Sequence, residues 1–128
     1  MFPHSITVWN QIASNHTGGF TYNKVFIDNV RYELTIAKQN TKEGETNTSL
    51  LNLFVFPDKI DTDSVYIEPK EYELLEDKKG YYTFDTDTYI GLGKIDTPIP
   101  SGNSYSVDSV KPVHAMGNEI HHFEISGS

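Results

Sequence analysis

Histidines near the end of the chain are the residues whose type is best suited to coordinate a metal ion. His114, His121 and His122 fall in the last fifteen residues, and zinc accepts imidazole nitrogen and carboxylate oxygen as ligands. Glu119 or Glu124 would supply the carboxylate. Successive side chains of a strand point to opposite faces, so His121 and His122 are not expected to bind one ion. The sequence also lacks cysteine and the HExxH pattern, and cross-strand surface histidines are the favoured interpretation.

Five aspartates form a second candidate site, either for calcium or for a pair of catalytic carboxylates. Asp-x-Asp pairs place two carboxylates on one side of an extended segment. A calcium-binding loop would add a glycine and a closing glutamate, which are missing here, and a glycosidase would need two carboxylates across a cleft. Solvated loop acids are therefore favoured, and no enzymatic activity is predicted. The residues are Asp58, Asp61, Asp63, Asp85 and Asp87.

Aromatic side chains are a third candidate, as a platform on which sugars or bases would stack. Tyr81, Tyr82, Phe84 and Tyr89 lie close together in the sequence, and aromatic rings stack readily on bases. Aromatic residues in strands more often pack in the core or across strands. We therefore expect these rings to be mainly structural.

The composition excludes several classes of protein. The chain has 128 residues, a formal net charge of −8 and a single arginine, Arg31, whereas binding to a nucleic-acid backbone depends on clustered Lys and Arg. It has no cysteine, which excludes disulfides and favours folding in a reducing cytoplasm. The longest dense apolar run, residues 50–56, is far shorter than the ~20 residues of a membrane helix. An acidic wall would nevertheless suit a passage through which DNA slides, because it repels phosphate.

Residues that favour β-strands dominate the chain, which contains eight Tyr and seven Phe. Apolar and polar residues alternate over 30–36, as in a half-buried strand, and Asp-Asn at 28–29 is predicted to break the preceding strand. Pro69 is suited to begin a single helical turn. The spacing predicts an all-β fold, a small antiparallel β-barrel or sandwich with one short helical turn, in a single domain over residues 1–128.

Residues 38–49 contain no apolar side chain and separate two apolar strands. Nothing in this segment is suited to a core, so it is predicted to be a long polar surface loop between strands. Long loops in compact domains are more often functional than short ones. Fully extended, this loop would project roughly 20 Å out and back, at ~3.3 Å per residue. A disordered hairpin tip is the alternative interpretation.

Three segments match a set of motifs spread over nearly the whole chain. A P-H-[ST]-[IV]-T-[VL] segment is matched at residues 3–8, and an H-[WF]-E-[VI]-[SG]-G segment at residues 122–127, with Phe123 where tryptophan is common. The central block P-K-E-[YF]-x-x-L-x-D-K-x-G-Y-[YW]-T is matched by Pro69, Lys70, Glu71, Tyr72, Leu75, Asp77, Lys78, Gly80, Tyr81, Tyr82 and Thr83. In this order the motifs resemble the minor capsid proteins, also called head-closure or stopper proteins, of tailed phages and prophages of Gram-positive bacteria.

The resemblance implies a structural virion protein with no enzymatic activity and no cofactor. Similar proteins form a small β-barrel that assembles into a homo-oligomeric ring, a dodecamer in the virion, at the neck between head and tail. The ring would lie beneath the portal and adaptor proteins and above the tail or a tail-completion protein. Packaged double-stranded DNA would pass through its lumen without specific binding. Assembly would take place in the cytoplasm of the bacterial host, with no membrane partner.

In similar proteins a long loop between strands projects into the channel and helps to retain packaged DNA. The matching position here is the polar segment 38–49, although it lacks the R-K-T-G-like pattern of the family. The residues implied in channel gating are Lys38, Gln39, Asn40, Thr41, Lys42, Glu43, Gly44, Glu45, Thr46, Asn47 and Thr48. Three alternatives remain open: a tail-completion protein of the same neck, a carbohydrate-binding β-domain that uses Tyr81 and Tyr82, and a metal-dependent hydrolase built on the C-terminal histidines.

Overall fold

The computed structural model describes residues 2–13, 20–41, 44–100, 102–117 and 119–128. In this part of the chain there are eight β-strands and one short helix. Their bounds are β1 His4–Ala13, β2 Phe20–Thr41, β3 Gly44–Val55, β4 Val65–Tyr66, α1 Pro69–Leu74, β5 Tyr81–Tyr82, β6 Thr88–Leu92, β7 Tyr105–His114 and β8 Ile120–Gly127.

Six of the strands close into a barrel in the order β1-β2-β3-β8-β7-β6. All neighbouring strands of the barrel are antiparallel. The remaining two strands, β4 and β5, form a separate two-stranded parallel sheet. The predicted all-β fold with a small antiparallel barrel is therefore confirmed.

The core lies inside the barrel because alternate residues of each strand point inward. On β1, Ile6 and Val8 face this core, and Trp9 is buried on the opposite face. The Trp9 indole Nε1–H donates to the carbonyl oxygen of Thr97 at 3.0 Å. Gly91 lies directly beneath this ring, and a Cβ atom added there would be 2.7 Å from it. The central core residues are Ile6, Val8, Ile27, Val30, Leu51, Leu53, Val55, Phe84, Ile90 and Ile125.

Helix α1 is short because its sequence carries a start signal and little to prolong it. Pro69 stands in its first turn, where the missing N–H has no intrahelical partner to lose. Tyr72 is buried against the barrel, and the helix ends where Leu75 becomes extended. The predicted helical turn is confirmed. In the described part of the chain, no helix is long and apolar enough to cross a membrane.

The predicted strand break at 28–29 is wrong, since β2 continues through it. Asn29 instead has a positive φ of 62°, and the register against β1 shifts between His4 and Ser5. Asparagine tolerates the left-handed conformation better than most residues, so it accommodates a bulge without ending the strand. The backbone of Asp28 also bridges to Asp61 in the segment after β3.

Candidate functional site

The polar segment 38–49 is the end of a β-hairpin, not a loop without regular structure. The ladder between β2 and β3 runs outward from Arg31↔Phe54 to Thr41↔Gly44. Backbone N–H and C=O groups make such a ladder whether or not the side chains are apolar, so the polar composition was a poor guide to the backbone. Residues 42–43, and the side chains of the predicted gating residues 38–48, lie outside the described residues.

The outer part of this hairpin has no other strand at its sides in the described part of the chain. On one side, β1 pairs with β2 only as far as His4↔Val30. On the other side, β8 pairs with β3 only as far as Leu51↔Gly127. We call residues 33–41 and 44–50 the arm. From the Thr35↔Leu50 pair to the Thr41↔Gly44 pair, the arm extends roughly 20 Å along its strands, at ~3.3 Å per residue.

One face of β2 carries apolar side chains from the barrel interior out into the arm. Val30 is fully buried and Tyr32 is half-buried against the core. Further along the same face, Leu34 is 47% exposed and Ile36 is 66% exposed. The alternating pattern correctly predicted a strand here, but the apolar face is only half covered because the barrel ends beneath it.

Two side-chain contacts fix the root of the arm, one on each strand. The Tyr32 backbone N–H donates to the Nδ1 atom of His4 at 3.1 Å, and the two rings stack with centroids 4.0 Å apart at 26°. On β3, the Ser49 hydroxyl lies 3.0 Å from the Tyr105 hydroxyl of β7. Sequence analysis included His4 in the motif at residues 3–8 but gave it no role in the arm.

The C-terminal histidines are arranged differently from the prediction. The Nδ1 atoms of His121 and His122 lie 2.9 Å apart, so the expectation that these neighbours point to opposite faces is wrong. Both rings pack on Phe56, His122 stacked at 4.9 Å and His121 edge-on at 5.6 Å. Glu124 lies 3.4 Å from His122 Nε2, whereas His114 pairs with Ile120 at the far end of β7.

Among the described residues, no group of three or more histidines, aspartates and glutamates is placed to hold a metal ion. Three of the acidic candidates, Asp61, Asp85 and Asp87, have contacts that shape a turn or bridge the backbone. Asp85 Oδ1 accepts hydrogen bonds from the Asp87 N–H at 2.8 Å and the Thr88 hydroxyl at 3.1 Å. The backbone of Asp61 pairs with that of Asp28. These contacts use the aspartates as structural residues of loops.

The aromatic candidates are mostly part of the core, as expected. Tyr82 and Phe84 are buried, and both contact Tyr66 at 5.8 and 6.0 Å between ring centroids. Burial raises the pKa of the Tyr82 hydroxyl, with Tyr66 adding to the shift. Of the Tyr81 and Tyr82 pair proposed as a sugar platform, Tyr81 alone is exposed, at 37%. A flat surface of several stacked rings is therefore not formed by these residues.

Comparison with known proteins identifies the family of the chain without giving its activity. The model of a family of unknown function, DUF6751, matches residues 1–128. The chain belongs to this family. No curated protein and no solved structure matches it.

A cleft of about 350 Å³ in this DUF6751 protein lies near the end of β1, between α1 and the turn before β6. Asn10 is a buried polar residue of this cleft and uses its amide to hold that turn. It donates to the Thr83 carbonyl at 2.7 Å and to the Thr88 hydroxyl at 3.1 Å, and it accepts from the Thr83 N–H at 3.1 Å. The amide therefore ties β1 to the β5–β6 connection, and the arm remains the feature that requires a functional explanation.

Proposed function

We propose that this protein is a structural virion component of a tailed phage, a subunit of the head-closure ring that joins head to tail and helps to retain packaged DNA. The observation that carries the proposal is the arm, which leaves a closed barrel with no other described strand beside it. A barrel of this kind is suited to stand in the wall of a ring while its arm reaches into the opening. The motifs over residues 3–8, 69–83 and 122–127 support the same assignment.

The distribution of charge supports a passage that DNA crosses without binding tightly. The chain carries a net charge of −8 and one arginine, so its surface repels phosphate on average. The charged residues of segment 38–49 balance one another, with Lys38 and Lys42 against Glu43 and Glu45. Retention is then steric. Arms gathered at the ring axis obstruct the lumen, and a change in their position opens it.

Exposed apolar side chains support assembly into a ring. Contacts between identical neighbours repeat around a symmetric ring, so weak contacts are multiplied. The partners follow from the position at the neck: portal or adaptor protein above, tail or tail-completion protein below, and further copies of the chain at the sides. Large apolar side chains available for such contacts are Phe20, Val65, Leu74, Ile99 and Met116.

The first experiment is electron microscopy of virions that carry a labelled copy of the chain. The proposal predicts label at the junction between head and tail, in a ring of several copies. Label along the tail, at its tip or on the capsid surface would contradict a head-closure role. Label confined to the tail side of the junction would favour a tail-completion protein instead.

The second experiment shortens the arm without disturbing the barrel. Replacing residues 38–47 by Asn-Gly closes the hairpin after the Ala37↔Thr48 pair, and Asn-Gly is the preferred two-residue hairpin turn. We expect the free energy of unfolding of the purified variant to lie within about 1 kcal/mol of the wild-type value. Phage particles that carry the variant should assemble and lose their DNA. Lys59→Ala, at an exposed side chain in the turn after β3, is the control and should retain DNA. Full retention by the short-arm particles would overturn the gating role.

A further inference from the structure

His4 occupies the point at which the arm leaves the barrel. Backbone pairing between β1 and β2 ends at His4↔Val30. Tyr32, two residues further along β2, pairs with Leu53 of β3 on its other side. Its N–H points away from β3 and donates to His4 Nδ1 at 3.1 Å. The imidazole thus accepts this hydrogen bond at a position where β1 no longer pairs with β2.

The ring of His4 also packs against the side chain of Tyr32. The imidazole and the Tyr32 ring stack at 4.0 Å and 26°, which fixes the orientation of Nδ1 toward the backbone. For Nδ1 to accept a hydrogen bond, it must carry no proton, so the neutral ring is protonated at Nε2. One tautomer of neutral histidine therefore completes the contact.

Protonation of the imidazole removes this acceptor. In the imidazolium form both ring nitrogens are donors, and Nδ1–H would face the N–H of Tyr32. Histidine gains its second proton between about pH 5 and pH 8, depending on its surroundings. Protonation of the ring therefore breaks the hydrogen bond, although the stacked rings remain in contact because a cation over an aromatic face is attractive.

The neighbouring charged groups are engaged with one another. Arg31 and Glu33, on either side of Tyr32, form an ion pair at 2.6 Å. Asp28 accepts from Ser5 at 2.6 Å and pairs with Lys94 at 3.2 Å. On β3, the residues opposite this part of β2 are Leu53 and Phe54, which carry no charge. The contact between His4 and Tyr32 is thus a part of the arm root whose geometry depends on the protonation state of an imidazole.

We propose that His4 is a pH-sensitive latch for the arm. Neutral His4 holds Tyr32 and the root of the arm against β1, and protonated His4 releases the backbone of Tyr32 so that the arm pivots more freely. The relevance of this release to DNA retention rests on the proposed head-closure function. The latch itself is a property of the isolated chain and is tested without phage.

The test is amide hydrogen exchange of the isotope-labelled protein, followed by NMR at about pH 7.5 and about pH 5. The quantity compared is the protection factor of the Tyr32 amide, which removes the intrinsic pH dependence of exchange. We expect the wild-type protection factor to fall roughly threefold to tenfold on acidification, as for the loss of one hydrogen bond. The amides of Val8 and Trp9, in the middle of β1, report on the barrel and should keep their protection.

Two substitutions distinguish the role of the Nδ1 acceptor of His4 from the role of its aromatic ring. His4→Asn places a carbonyl oxygen near the position of Nδ1 and does not titrate, so it should keep Tyr32 protected at both pH values. His4→Phe keeps the aromatic stack without an acceptor, so Tyr32 should be poorly protected at both. A wild-type protection factor that does not change with pH, or a His4→Asn variant that shows the wild-type fall, would overturn the latch.

Phage particles distinguish this inference from the proposed function. If exchange follows the expected pattern while short-arm particles retain their DNA, the latch stands and the gating role fails. If short-arm particles leak while Tyr32 protection is independent of pH in the wild type, the gating role stands and the latch fails.

Discussion

Strand β2 has two halves that share one alternating pattern and lie in different surroundings. The first half is covered at both edges. Strand β1 pairs with it on one side. On β2 itself, the Asn23 side chain donates to the carbonyl oxygens of Lys78 and Tyr81 at 3.0 and 2.6 Å. The Thr62 hydroxyl donates to the carbonyl oxygen of Phe26 at 2.8 Å. The second half, which enters the arm, pairs with β3 alone among the described strands.

Exposure follows this difference and not the residue types. Ile27 in the first half is fully buried, whereas Ile36 in the second half is 66% exposed. Isoleucine contributes to stability mainly through the apolar area it removes from water. The first half of β2 is therefore expected to stabilise the barrel, while the second half is available for contacts with other molecules.

Matched isoleucine substitutions test the difference between the two halves of β2 and have the largest expected effect. Ile27→Ala leaves a cavity in the barrel core and should lower the free energy of unfolding by about 2–5 kcal/mol. Ile36→Ala removes the same atoms from an exposed site and should change it by about 0.5 kcal/mol or less. Urea denaturation followed by Trp9 fluorescence measures both. Equal losses for the two variants would mean that the arm is packed as tightly as the core.

The covered edge of the first half gives the next largest effect. Asn23→Ala removes the hydrogen bonds to the Lys78 and Tyr81 carbonyls and one to the Tyr72 hydroxyl at 3.2 Å. Leaving these partners unsatisfied should cost about 1–3 kcal/mol of unfolding free energy. Thr35→Ala, on the exposed half of the same strand, is the control and should stay within about 0.5 kcal/mol. If Asn23→Ala leaves the free energy of unfolding unchanged, the segment after α1 does not stabilise β2.

The smallest expected effect is a pH dependence at the bulge between the two halves. The hydrogen bond from Ser5 lowers the pKa of the Asp28 carboxyl, desolvation opposes the shift, and Lys94 adds to the lowering. Because the folded pKa lies below the unfolded value, this contribution to stability is present above about pH 4 and is lost as the pH falls through the folded pKa.

The matched variant for this effect is Asp28→Asn, which keeps the shape of the side chain and cannot ionise. Urea denaturation at about pH 6 and about pH 3 should show the wild type losing its advantage over the variant at the lower pH. An unchanged difference between the two proteins across this range would contradict a stabilising charge at Asp28.

Much of the barrel was predictable because its signals are local. Alternation over residues 30–36 identified a strand, and Pro69 identified the helical turn that buries Tyr72. The break at 28–29 was mispredicted, since Asp-Asn is typical of turns but Asn29 also tolerates the positive φ of a bulge. The two C-terminal histidines were placed on opposite faces by the ideal period of a strand, yet their Nδ1 atoms meet at the start of β8.

The sequence predicted the position of the candidate site but not its backbone conformation. Segment 38–49 stood out by its lack of apolar residues, and Ser49 is the member of it whose side chain is described and exposed. The pairing of Lys38 with Asn47 was not visible, because a ladder is made by backbone groups that every residue type carries. The contact between His4 and Tyr32 joins residues 28 positions apart, a separation that no local pattern reports.

By itself, the sequence determined which side chains alternate along the regular stretch 30–36 and that the chain carries an excess of acidic charge. These properties depend on the two-residue repeat of an extended backbone and on composition, and both are local. Only the tertiary structure decided where the barrel ends along β2, and therefore that Ile27 is buried while Ile36 is not. That boundary is set by how far β1 and β8 extend beside the hairpin, because coverage of a strand depends on its neighbours in space.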